Sequence, residues 1–278
     1  MVQNLLFGTA GTPHSSKEHS SIAGIERVKE LGLDAMELEF VYGVKMSQET
    51  AAQVRKAREK TGISLSVHAP YYINLNSADK QKLGLSRHNI LQSCRIGALC
   101  GAKSIVFHPG FYLKDSPSNV FKNIKSAIEG LLETIKDEKI SVALSPETTG
   151  KPSQFGSLDE LLELHSQAPK SLLTVDFAHL HARSNGCLKA QKDFDAVLEK
   201  IEKTDGQLLK ALHMHVSGIK YSAKGERNHL NLQDKANDFN HLFFLNALKE
   251  FNVSGTVICE SPSIEADALL LKSSFARL

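Results

Sequence analysis

Short, nearly continuous apolar runs alternate along the chain with longer stretches whose apolar residues recur every three or four positions. The runs at 5–10, 35–40, 64–69, 104–109, 141–147, 172–179, 209–216 and 255–261 have strand length. Most lack an inside–outside alternation, which predicts parallel strands covered on both faces. The stretches at 22–31, 49–60, 88–99, 120–136, 158–164, 194–203, 239–251 and 264–275 carry helical periodicity. Gly32, Gly62 and Gly101 stand between a helix and the next strand, the usual helix-stop chemistry. Eight strand–helix pairs with no linker or composition break predict a single domain over 1–278, an α/β (β/α)8 TIM barrel. The longest polar connection, 217–238, follows the seventh strand, and loops of that length in compact domains tend to carry function.

Composition adds limits rather than direction. A chain of 278 residues, 41% of them apolar, can bury a sizeable core. The net charge of +2 supplies no strong global field, so a nucleic-acid coat protein is disfavoured while an enzyme with a local basic groove is not. No apolar segment approaches the roughly 20 residues that cross a bilayer, and the amino terminus lacks the pattern of a signal peptide. Cys94, Cys100, Cys187 and Cys259 are scattered with no CxxC, which fits reduced thiols in a cytoplasmic protein and argues against a thiolate zinc site. The expectation is a cytoplasmic monomer with no membrane partner.

Chemistry gathers at the carboxyl ends of the strands, where a barrel keeps its active site. The third strand ends in His68 and the fourth in His108; the fifth delivers Glu147; the sixth delivers Asp176, then His179 and His181. The seventh delivers His213 and His215, the loop behind it carries Glu226-Arg227-Asn228-His229, and the eighth ends in Glu260. A single histidine at a strand end is most simply a hydrogen-bonded structural residue. So many imidazoles and carboxylates in one mouth would be electrostatically costly without cations. Imidazole with carboxylate and no thiolate suits Zn²⁺, Mn²⁺ or Fe²⁺. The donors are too many for one tetrahedral ion, which implies two or three metals with bridging carboxylates and a site suited to phosphoryl chemistry.

Five segments, His68-Ala69-Pro70-Tyr71-Tyr72-Ile73-Asn74-Leu75, Phe107-His108-Pro109-Gly110, Glu147-Thr148-Thr149-Gly150-Lys151 with Gln154-Phe155-Gly156, Asp176-Phe177-Ala178-His179 and Glu260-Ser261-Pro262, occur in order on successive strands. In these the chain resembles endonuclease IV, the metal-dependent apurinic/apyrimidinic endonucleases of the xylose-isomerase-like barrel superfamily. The resemblance implies a trinuclear zinc site, with Mn²⁺ a possible substitute. His68, His108, Glu147, Asp176, His179, His213 and Glu260 fall on ligand positions, and Glu147 is the metal-bridging, catalytic carboxylate. The implied reaction is hydrolysis of the phosphodiester 5′ to an abasic site in double-stranded DNA, a base-excision repair step that leaves a 3′-hydroxyl. Tyr71 and Tyr72 match the loop that presses into DNA where the damaged nucleotide is flipped out, an extrusion that costs least where a base is already missing. The plainer reading of this pair is packed strand-end aromatics.

Three departures from the family pattern stand out. Where the family has Asp-Arg-His after the seventh strand, this chain has Glu226-Arg227-Asn228-His229. Either Glu226 replaces the aspartate and His229 enters shifted by one residue, or that site is rebuilt. His213 is followed by Met214-His215-Val216, so His215 competes with it as a ligand. The stretch Gly8-Thr9-Ala10-Gly11-Thr12 keeps only the glycine-rich character of the family's first DNA-contacting loop. Lys220, Lys224 and Arg227 read either as phosphate contacts or as solvated charge. Two other functions compete: a sugar isomerase or epimerase on the same barrel, built around one metal and paired glutamates, and a barrel without metals that binds DNA or a protein. Histidines on four different strands favour the multi-metal hydrolase.

Overall fold

A computed structural model describes residues 5–168 and 171–278. Residues 1–4, on which the reading of no signal peptide rests, lie outside the described residues. Eight parallel strands, Leu5–Ala10, Ala35–Glu39, Ser64–His68, Ser104–Phe107, Ala143–Pro146, Thr174–Asp176, Leu212–Val216 and Gly255–Cys259, pair in the order five-four-three-two-one-eight-seven-six. The first strand pairs with both the second and the eighth. The remaining seam, between the fifth and sixth, is closed by the parallel bridge of Glu147 with Thr174. Backbone hydrogen bonds from Leu172 N to Leu144 O (2.7 Å) and Thr148 N to Thr174 O (3.1 Å) cross it, as does the Ser145–Thr174 hydroxyl pair at 2.7 Å. The sheet is a closed TIM barrel.

Helices coat the barrel because each presents an apolar stripe to the strands. On Pro117–Asp137 the buried residues Val120, Ile124, Ala127, Ile128, Leu131 and Ile135 recur at helical spacing. The capping chemistry is local: Ser157 and Glu160 form a reciprocal capping box at the start of Leu158–Gln167. Gly62 and Gly101 end the second and third helices in the left-handed conformation.

The expected strands are present with shorter bounds, and two expectations are corrected. The sixth run does not stay extended to residue 179. Asp176 caps a helix of about two turns, Phe177–Arg183, by accepting from His179 N at 2.9 Å. The connection 217–238 is not wholly irregular: Gly218–Ser222 and Gly225–Leu230 pair as an antiparallel hairpin. A second small ribbon pairs Gly110–Phe111 with Gln154–Phe155 and ties together the loops that follow the fourth and fifth strands.

The Ser145–Thr174 pair is buried in the closing seam. Ser145→Ala leaves the Thr174 hydroxyl without that partner and should cost about 1–3 kcal/mol of stability, measurable by denaturant titration; an unchanged midpoint would show that the seam does not depend on it.

Candidate metal centre

Alternation along parallel strands sends every second side chain into the barrel, and register sets its depth. His68 lies beside Glu39, and Asp176 beside His215. Glu147 is contacted by four histidines, its side chain almost wholly buried. Its Oε2 is 3.1 Å from Nε2 of both His68 and His108. Its Oε1 is 3.1 Å from His215 Nδ1 and 3.4 Å from His179 Nδ1. Burial would push Glu147 up, but the charges of His108 and His215 and the nearness of the other imidazoles outweigh it and hold the carboxylate well below its usual range. Burial, relieved by His215 but reinforced by Asp176, pushes Glu260 upward.

The imidazoles are oriented from behind by backbone. His68 Nδ1 lies 2.7 Å from Ala69 O, His179 Nδ1 2.9 Å from Thr148 O, and His229 Nδ1 3.0 Å from Glu260 O. A carbonyl only accepts, so in each ring Nδ1 carries the proton and Nε2 is left to ligate, the arrangement that tunes metal-binding histidines. His179 reaches the site because it belongs to the helix: three residues past Asp176 it lies one turn on, whereas in a strand the two would face opposite sides. Asp176 Oδ1 caps that helix, and Oδ2 is buried with no hydrogen-bond partner, as is His108 Nε2. Buried polar atoms without hydrogen-bond partners, gathered in one mouth, are what ligands of a cation look like.

The hairpin explains the altered spacing between Glu226 and His229. Three residues apart on a regular strand, they would point to opposite faces. The pairing runs Lys220 with Asn228 but Tyr221 with Glu226, so Arg227 is an extra, unpaired residue. A bulge of this kind re-aims the strand, and both side chains reach His179: Glu226 Oε2 is 3.6 Å from its Nε2, and the His229 ring lies 5.8 Å away. Gly225 and Gly150 permit the approach. Glu226 N donates to Gly150 O at 2.9 Å, and a Cβ on Gly150 would stand 2.7 Å from Glu226 Oε2. Arg183 pins the same loop, donating from Nη1 to Thr149 Oγ1, Lys151 O and Gln154 O.

Around Glu147 and Asp176 lie three of the overlapping donor sets: His68, His108 and Glu147; Glu147, Asp176, His215 and Glu260; and Asp176, His179 and His229, with Glu226 beside it. These clusters could hold metal ions. His213 is not among them. The structure puts His215 against Glu147 and sets His213 one layer deeper, with its Nε2 3.0 Å from Glu37. Both face inward, so the two-residue period alone does not rank their depth. Glu37 and Glu39 are further inward-facing carboxylates missed at the sequence level. The signal was present, since Met36-Glu37-Leu38-Glu39 places two acids on one face of a strand covered on both sides. Tyr71 and Tyr72 are 55% and 43% exposed, which excludes the packed alternative, and Tyr42 extends the patch with its ring 5.8 Å from that of Tyr71.

The profile of the xylose isomerase-like TIM barrel family matches residues 25–277. The chain belongs to that family. Within it, the chain is similar to the uncharacterized protein MJ0133 of Methanocaldococcus jannaschii, 42% identical over 275 residues, covering 99% of this chain and 98% of that one. It is also 34% identical over 206 residues to a probable endonuclease 4 of Listeria monocytogenes, covering 72% of this chain and 65% of the relative. The chain thus spans just under two thirds of that relative's length, and the resemblance to endonuclease IV read from the motifs is supported. Endonuclease IV from Thermus thermophilus superposes with a TM-score of 0.74 at 19% identity over 98% of this chain and 100% of that one. A D-tagatose 3-epimerase-like protein gives 0.72 at 19% identity over 98% and 96%. At such identities these two structures speak for the xylose isomerase-like barrel fold and not for one activity.

Without metal, burial opposes the charged form of His68, but the hydrogen bond and charge of Glu147, with Glu39 and Glu37 behind it, push it up from 6.5 to about 10. A group raised on folding contributes its full stability below its unfolded value and loses it as the pH climbs through its folded value. Chelator-treated protein should therefore lose thermal stability between about pH 6.5 and 10. Metal loading, which takes the place of these protons, should release protons and flatten the profile. Melting curves across that range check it; identical slopes with and without chelator would remove His68 from the metal ring.

Proposed function

We propose that this chain is a metal-dependent phosphodiesterase that cleaves DNA on the 5′ side of abasic sites, and that it holds three zinc ions, with Mn²⁺ able to substitute. The observation that carries this reading is the buried Glu147 carboxylate, met by His68 and His215 from the third and seventh strands, by His108 just past the fourth and by His179 from the helix after the sixth. Nine side chains would hold the metals: His68, His108, Glu147, Asp176, His179, His215, Glu226, His229 and Glu260. In this assignment His215 takes the place of His213. Divalent ions at such a site supply charge neutralisation for a phosphodiester and a nucleophilic water at neutral pH.

The chain's own residues do the rest. Glu147 belongs to two donor sets, its Oε2 facing His68 and His108 and its Oε1 facing His215, and would tie the two sets together. Tyr71 and Tyr72 form an exposed aromatic step at the mouth, suited to fill the gap left by a missing base and to hold the sugar–phosphate extruded toward the recess. Lys220, Lys224 and Arg227 are exposed on the hairpin that carries Glu226 and His229, where they would meet backbone phosphates. The protein would act in the cytoplasm, as a monomer.

A second reading is a sugar epimerase with one metal and paired acids; Glu37 and Glu39, the added carboxylates of the second strand, favour it. The two part on substrate. Glu147→Gln should abolish nicking of a duplex with one abasic site while the circular dichroism spectrum stays unchanged, and unaltered nicking would sink the assignment. Purified protein should carry about three metals, and Glu226→Ala and His229→Ala should each lose about one. Wild-type metal content in both variants would mean the hairpin contributes no ligand.

A further inference from the structure

The barrel interior beneath the main cluster is polar, where a TIM barrel is ordinarily filled with branched apolar side chains. Ser66, Ser104, Ser145, Thr174, Glu37 and His213 are all buried there. Glu37 enters from the second strand and meets the seventh across the barrel. Its Oε2 lies 3.0 Å from His213 Nε2, and its Oε1 lies 2.9 Å from His215 Nε2. The three residues offer ligand atoms that all lie within 4.8 Å of one another.

Two of these atoms are not explained by hydrogen bonding. Glu37 and His215 are fully buried, yet Glu37 Oε1 and His215 Nε2 have no hydrogen-bond partner, although they face each other. His215 also differs from His68, His179 and His229. No backbone carbonyl holds its second nitrogen; Nδ1 faces Glu147 and Glu260, while Nε2 faces Glu37. A carboxylate and two imidazole nitrogens converging in a buried pocket are a donor set for a borderline divalent ion such as Zn²⁺. Below lies a cavity of about 130 Å³ lined by His213 together with Ser64, Ser66, Ser104 and Thr256. It has room for water in a fourth position and lies at the amino-terminal ends of the strands, on the side away from the mouth.

We propose that Glu37, His213 and Nε2 of His215 form a separate divalent-metal site one layer beneath the main cluster, with His215 placed between the two. When both are filled, the ring ligates through both nitrogens as the imidazolate, and its proton passes to water. The site needs no DNA and no particular activity above it; it rests on the metal-binding part of the proposed function only through His215.

The test is an anomalous difference map at the zinc edge from wild-type crystals grown with Zn²⁺ and then dialysed. A peak bounded by Glu37, His213 and His215, in addition to those around Glu147, is the expected result. Peaks around Glu147 with none below overturn this site and leave the proposed function standing, whereas no peak in either place overturns both. In protein loaded with Zn²⁺, His213→Ala and His213→Gln should each lower the metal content from about four ions per chain to about three while the peaks around Glu147 persist. Unchanged content in a folded variant, or loss of the upper peaks with the lower one kept, would refute the assignment.

Discussion

A carboxylate in the middle of a closed barrel holds the rest of the centre in place. Glu147 is buried, and its charge survives there because imidazoles from other strands approach both of its oxygens. Removing any one of those rings would leave a buried anion less well compensated, a change that costs several kcal/mol in typical proteins. The positions of His68, His108, His179 and His215 are therefore not independent; each is a condition for ionisation at the same atom pair. The backbone carbonyls of Ala69, Thr148 and Glu260 do part of this work by settling which nitrogen of a ring carries the proton.

Much of this was legible in the sequence. Strands covered on both faces read as apolar runs, so their ends, and with them His68, His108, Glu147, Asp176 and Glu260, could be located from pattern alone. Depth along the barrel axis could not. It depends on register between neighbouring strands, which is why His213 and His215 were indistinguishable by period, and why Glu37, lying mid-strand, escaped a reading that inspected strand ends. The helix at Phe177–Arg183 was hidden because its apolar residues Phe177, Ala178 and Leu180 continue the run of the strand before it. Asp176 as a helix cap was the available sign.

The hairpin at 218–230 was hidden for the opposite reason. Its strands carry few apolar residues, and its inner face rests on Ala178 and Ala182 through Ile219 and Tyr221. Small residues on the helix let a mostly polar ribbon lie close, so no hydrophobic alternation announces it. Within it, the extra residue at Arg227 compensates for a spacing between Glu226 and His229 that differs from the family's. An apparent loss of a motif was a change of local geometry that leaves both side chains directed at His179.

The seam between the fifth and sixth strands gives the barrel a property beyond shape. Glu147 and Asp176 stand on opposite sides of that joint, which is held by the Glu147–Thr174 bridge and a few hydrogen bonds. An ion ligated by both would act as a clasp across the last closure of the cylinder. Occupancy of the centre and completion of the barrel would then be a single thermodynamic event, and the metal would serve as a folding cofactor for the architecture that holds it.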